Sequence, residues 1–179
     1  MRKFLWSFLE VVEALVIAVV AVFLVRNFIA QPFLVSGSSM EPSFLNGNYL
    51  LVDELTYRFR EPQRGEVVVF RYPLDRRAFY IKRIIGLPGE RVVIENGEVS
   101  IMTSDGKTVL RESYIPGVNT RGQLDTTLDG QEYFVMGDNR NFSFDSRSWG
   151  PLSGEDIIGV ARLRLWPINE VMAFTAPAY

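Results

Sequence analysis

Between Ser36 and Phe44 the chain runs Ser36-Gly37-Ser38-Ser39-Met40-Glu41-Pro42-Ser43-Phe44, a set of hydroxyls around a glycine that could present a nucleophile. The same residue types also build turns for backbone reasons alone. What the loop means depends on the base the chain can offer it. There is no histidine and no cysteine. A Ser-His-Asp triad, a histidine-ligated zinc site, an imidazole proton shuttle and a cysteine nucleophile are therefore excluded. If the chain is a hydrolase, its base is a lysine or a carboxylate.

The elements that would position such a loop follow from composition and patterning. At 179 residues with a net charge of -2, the chain fits one domain plus an anchor and gives no reason to expect nucleic acid as a partner. No cofactor and no metal is expected. The absence of cysteine leaves the redox compartment undecided. From Phe4 to Ile29 the chain is mostly apolar, without interruption from Ala14 to Val25, and Glu10, Glu13 and Arg26 stand at the borders. A membrane-crossing helix needs about 20 largely apolar residues, which the flanking apolar residues supply. A cleaved signal peptide opens in the same way, with Arg2 and Lys3 before the apolar run. Its exit differs: cleavage after Ala30 would put Phe28 where a small residue is wanted. Arg2 and Lys3 hold the N-terminus in the cytoplasm and place the chain beyond Ala30 outside, although Arg26 at the other end opposes this.

Gln31-Pro32 is expected to end the helix. Beyond it, short runs rich in β-branched and aromatic residues predict strands: Tyr49–Val52, Glu66–Phe70, Tyr80–Ile85, Arg91–Ile94, Val99–Ile101, Thr108–Leu110, Gln131–Met136 and Ile157–Leu163. Asn96-Gly97 and Asp105-Gly106 suit two-residue hairpin turns. A helical turn is expected near Asp53 to Tyr57, and a polar surface loop between Gly122 and Gly130. The expected organisation is a cytoplasmic stub and anchor at 1–30, then an all-β, antiparallel domain at 31–179 with a short hairpin insert at about 91–136.

Three segments stand out against this background: Gly37-Ser38-Ser39-Met40-Glu41-Pro42-Ser43, Tyr80-Ile81-Lys82-Arg83-Ile84-Ile85-Gly86-Leu87-Pro88-Gly89-Glu90, and Gly137-Asp138-Asn139-Arg140-Asn141-Phe142-Ser143-Phe144-Asp145-Ser146-Arg147. In this order behind an anchor, they make the chain resemble the bacterial type I signal peptidases. These are membrane-bound serine proteases with a compact, barrel-like antiparallel catalytic domain that remove signal peptides from exported preproteins. The resemblance implies Ser39 as nucleophile and Lys82 as general base. A free lysine, with a pKa near 10.4, is a cation at neutral pH. Burial of Lys82 between Ile81 and Ile84 would lower that value toward the range where bases work. The resemblance further gives Ser143 a hydrogen bond to the lysine amine, Asp145 and Arg147 a supporting ion pair, and Gly137 a close backbone approach. Asp138, Asn139 and Arg140 read as scaffolding. The Ser39 N–H is the natural first oxyanion donor. The second stays open among Gly37, where one branch of the family has a serine, the neighbouring Ser38 or Ser36, and water.

Phe33, Val35, Met40, Phe44, Tyr80 and Ile81 match positions lining the family's two shallow pockets, whose bulky walls admit alanine-like side chains in an A-x-A pattern; each is also a plausible core residue. The implied partners are signal peptides and the lipid bilayer, and the implied location is the cytoplasmic membrane, single-pass. Ser39 lies nine residues beyond Ala30, within roughly 30 Å of the anchor at about 3.3–3.6 Å per extended residue. Trp149 and Trp166 could rest on lipid. Asn141 and Phe142 stand where many relatives are more polar. The A-x-A-like end Ala176-Pro177-Ala178-Tyr179 suggests a tail that visits a groove. Two competing readings are a non-catalytic, membrane-anchored peptide-binding β-domain and a self-cleaving Ser-Lys repressor, which would need a DNA-binding domain where this chain has an anchor.

Overall fold

The structure, a computed structural model, describes residues 2–28, 30–104 and 106–177, with side chains in the first helix described at 6 and 8–23. Ile29 of the apolar segment, Asp105 of the second predicted turn, and Ala178 and Tyr179 of the tail lie outside the described residues.

Helix α1 spans Arg2–Phe28. From Ala14 to Phe23 its side chains are apolar and exposed on every face, unlike a helix lying on a domain, which exposes a polar face. Among the described residues no helix is long and apolar enough to cross a membrane.

The rest is mostly strand, paired antiparallel throughout, as expected. One sheet contains β1 (Ala30–Leu34), β2 (Tyr49–Asp53), β3 (Val67–Tyr72), β4 (Asp75–Gly86), β9 (Glu132–Met136), β10 (Leu152–Ser153) and β11 (Ile157–Trp166), in the order β1-β2-β11-β3-β4-β9-β10, with β12 (Met172–Ala173) paired to β11. A second sheet has the order β7-β6-β5-β8, from β5 (Arg91–Glu95), β6 (Glu98–Thr103), β7 (Gly106–Val109) and β8 (Leu124–Thr127). The four-residue helix α2 is Ser146–Trp149.

The continuous apolar runs of β3, β4 and β9 are explained by burial on both faces. Val68, Phe70, Ile84 and Val135 pack on one side with Leu152. On the other, Ile85, Phe134 and Met136 meet Val92, Ile94, Val99 and Ile101 of the second sheet. The β5–β6 hairpin turns on Asn96 and Gly97 at φ 53° and 85°, the doubly positive pair that a two-residue hairpin demands. In the next hairpin Thr103 pairs with Gly106, so the loop is one residue earlier than Asp105-Gly106 predicts.

Two readings need correction. Pro32 lies inside strand β1, opposite Leu51; β1 is an edge strand, where a missing N–H is tolerated. The polar stretch 122–130 holds β8, whose alternation of half-buried and exposed residues seats Leu124 against the core while Asp125 pairs with Arg91. The turn near Asp53 is a short 3-10 helix at Thr56–Arg58.

Candidate active site

Because β1 and β2 are antiparallel neighbours, the segment joining them must return on itself. The Val35 N–H donates to Asn48 O and the Gly47 N–H to Val35 O, both at 2.9 Å. Within this loop Met40 and Phe44 are buried with Leu50, Val67 and Ala161, and pin the loop to the core. Gly37, at φ 95°, donates its N–H to Asn46 Oδ1 at 2.9 Å. From the other side, Asn139 donates its N–H to Ser39 O at 3.1 Å and its side-chain amide to Ser38 O at 3.0 Å. Ser39 is thus held between a buried anchor and the loop that follows β9. Its own N–H donates to no protein acceptor among the described residues.

Lys82 reaches Ser39 from β4, where it pairs with Val68 of β3. It is 4% exposed, and its Nζ donates to Ser39 Oγ at 2.7 Å and to Ile81 O at 2.9 Å. Burial of the ammonium lowers its pKa from 10.5 to about 8, against the upward pull of the Asp145 and Asp138 carboxylates. Both carboxylates are already paired. Asp138 accepts from Arg83 Nε at 2.8 Å, Arg83 lying on the opposite face of β4. Asp145 takes the two-pronged Arg147 guanidinium at 2.8 Å per bond and the Gly137 N–H at 3.0 Å. Burial pushes the Asp145 carboxyl up, but these partners outweigh it and hold it below the ordinary value. Asp145 also caps α2 through the Arg147 N–H.

Behind Ser39, the Gly137 backbone passes so close that a Cβ there would lie 2.4 Å from Ser39 O and 2.2 Å from Ser143 Oγ. Arg140 ties this loop to the segment after β7. It donates to Gly137 O at 3.1 Å and to Thr120 Oγ1 at 2.7 Å, and forms a buried ion pair with Glu112.

Ser39 and Lys82 open into a cleft of about 470 Å³, also lined by Phe33, Val35, Gly37, Ser38, Tyr80 and Ile81. Three expectations are corrected by this arrangement. Met40 and Phe44 are not among the cleft's lining residues, because both side chains are spent on the core beneath the loop. Ser143 Oγ is buried but does not receive the lysine amine, which is directed to Ser39 and Ile81; it lies instead beside Asp145, whose carboxyl it helps to hold down. The Gly37 N–H, engaged by Asn46, is not free for an oxyanion. Trp149 packs against Phe70 and Tyr72 instead of facing outward, while Trp166 is exposed. The tail, as far as Pro177, borders a different cleft with Ser43, Arg83 and Tyr114.

Sequence reasoning did not find Asn46, nor the cleft walls supplied by Phe79, Phe142 and Phe144. The Asn46-Gly47-Asn48 run was the available signal for a turn held by asparagine side chains.

The sequence pattern described as "Signal peptidase, peptidase S26" matches residues 8–166. The chain is 36% identical over 178 residues to the probable signal peptidase I-2 of Synechocystis, covering 96% of this chain and 79% of that protein. It is 35% identical over 175 residues to signal peptidase I T of Bacillus subtilis, covering 92% and 89% respectively. A solved signal peptidase I from Enterococcus faecalis aligns with a TM-score of 0.49 at 30% identity, over 56% of this chain and 97% of its own.

Proposed function

Because the chain belongs to the signal peptidase family, peptidase S26, we propose that it is a serine endopeptidase that removes signal peptides from preproteins, with Ser39 as nucleophile and Lys82 as its base. The observation that carries the mechanism is the 2.7 Å contact between Lys82 Nζ and Ser39 Oγ, with the lysine buried. Ser39 Oγ attacks the scissile carbonyl as the neutral Lys82 amine takes its proton. The amine returns that proton to the leaving nitrogen, and water then hydrolyses the ester. The unengaged Ser39 N–H is placed to donate to the oxyanion. Asp145, Arg147 and Gly137 support the arrangement by fixing the loop behind the nucleophile. Phe33, Val35, Tyr80 and Ile81 crowd the cleft, favouring alanine-like side chains.

The pH dependence follows from the lysine. Below its pKa of about 8 the amine is protonated and cannot accept the serine proton. Activity therefore rises with pH through about 8 and levels off above it. Purified enzyme and a preprotein with alanine at the first and third positions before the cut provide the test. The expected result is one cut after the alanine with that rising limb; a limb near 10.4, the free-lysine value, would overturn the tuning by burial.

The protein is membrane-associated, with an extracytoplasmic domain. Its finer organisation, in our reading, is an anchor at 1–30 with the N-terminus in the cytoplasm, and a catalytic domain at 31–179 carrying an insert at about 91–136. Support comes from the all-round apolar exposure of Ala14–Phe23, which calls for lipid or another apolar surface. The full chain should resist alkaline extraction from membranes; release by carbonate would remove the anchor.

A further inference from the structure

The cleft has apolar walls that the alanine-selective reading leaves without work. Phe142 is 77% exposed, Leu34 55%, Phe144 52% and Phe79 51%, and all four line the cleft that holds Ser39 and Lys82. They come from three separate elements: Leu34 from β1, Phe79 from β4, and Phe142 and Phe144 from the loop between β9 and α2. Two of them are braced by aromatic neighbours. Phe79 meets Phe33 edge-on at 5.9 Å, and Phe144 meets Tyr72 edge-on at 6.2 Å. The loop carrying Phe142 and Phe144 is fastened at both ends, by Asn139 to the Ser38 and Ser39 carbonyls and by Asp145 to the Gly137 N–H. The cleft floor is different in kind, since Val35, Val69 and Leu50 are buried.

An extended peptide sends successive side chains to opposite sides. If the first and third residues before the cut enter the floor, the second must point back toward the rim, where the exposed phenylalanines stand. We propose that Phe142 and Phe144 form an aromatic subsite for the second residue before the cut, giving the enzyme a preference for large apolar or aromatic side chains at that one position. This rests on the signal-peptidase reading of Ser39 and Lys82.

The test compares two preproteins that differ only at that residue, phenylalanine against serine, through the ratio of their kcat/KM values. A general loss of activity cancels in such a ratio. The wild-type enzyme should favour phenylalanine by about tenfold, in line with what an apolar subsite contributes. The ratio should fall toward one in Phe142→Asn, and further in Phe142→Asn combined with Phe144→Ser. Equal rates in the wild type, or a preference that survives both substitutions, would overturn the subsite while leaving the peptidase reading intact. Failure of the wild type to cut either preprotein would remove the reading itself, and the subsite with it.

Discussion

Replacing Lys82 with methionine is expected to lower kcat/KM by on the order of 10⁴-fold or more while leaving the fold in place. Methionine is close in length to the buried lysine and removes the amine without opening a large cavity. It also removes the energetic penalty of holding an ammonium where only 4% of the residue meets solvent. Neither carboxylate near Lys82 is stranded by the change, because Asp138 keeps Arg83 and Asp145 keeps Arg147. Thermal unfolding should therefore show a midpoint no lower than that of the wild type. Ser39→Ala should match it in activity, and the double variant should be no worse than the poorer single one, since nucleophile and base act as a unit. Lys82→Arg should fail as well, because a guanidinium stays protonated. A Lys82→Met enzyme within tenfold of wild type would leave the 2.7 Å contact without a catalytic meaning.

The strands could be read in the sequence wherever local pattern and tertiary burial agree. Val67–Phe70 and Tyr133–Met136 are apolar runs because both faces of their sheet are covered. The pattern misleads where a neighbour decides. Pro32 signals a break, but at a sheet edge its missing N–H disturbs no pairing. Leu124-Asp125-Thr126-Thr127 is polar by composition, and only β5 alongside makes it a strand. The site divides in the same way. Ser39 and Lys82 stand out in the sequence through the motifs that carry the family resemblance, whereas the absence of histidine and cysteine alone leaves the base open between a lysine and a carboxylate. Met40 and Phe44 were not assignable, because a bulky residue beside a nucleophile serves equally as pocket wall or as pin, and their burial decides for the pin. Ser143 illustrates the third case. Its position matches a motif, but the direction of a hydroxyl is set by neighbours that sequence does not place, and here the lysine amine is directed to Ser39 and Ile81 instead.

Gly137→Ala is expected to lower kcat by on the order of 10²-fold, the typical cost of displacing a reacting group by about an ångström, with much less change in KM. The added carbon would lie 2.2 Å from Ser143 Oγ and 2.4 Å from Ser39 O. Rotation of the Ser143 side chain relieves the Oγ contact, though its Cβ stays 2.5 Å from the new carbon. The clash with Ser39 O cannot be relieved cheaply. Ser39 O is a backbone atom held by the Asn139 N–H at 3.1 Å, two residues along from the substituted position, so the carbonyl and the intruding methyl are fastened to the same loop. Gly137 is itself fixed by its N–H to Asp145 at 3.0 Å. The strain therefore falls on the nucleophile loop, and the Ser39–Lys82 contact lengthens while the cleft walls on β1 and β4 stay where they are. A second substitution separates the two clashes: Ser143→Gly removes both the Oγ and the Cβ that the new methyl would meet. If Ser39 is the group displaced, Gly137→Ala with Ser143→Gly stays as slow as Gly137→Ala alone. Recovery of wild-type kcat in that double variant would show that Ser143, and not the backbone of the nucleophile, is what the glycine protects.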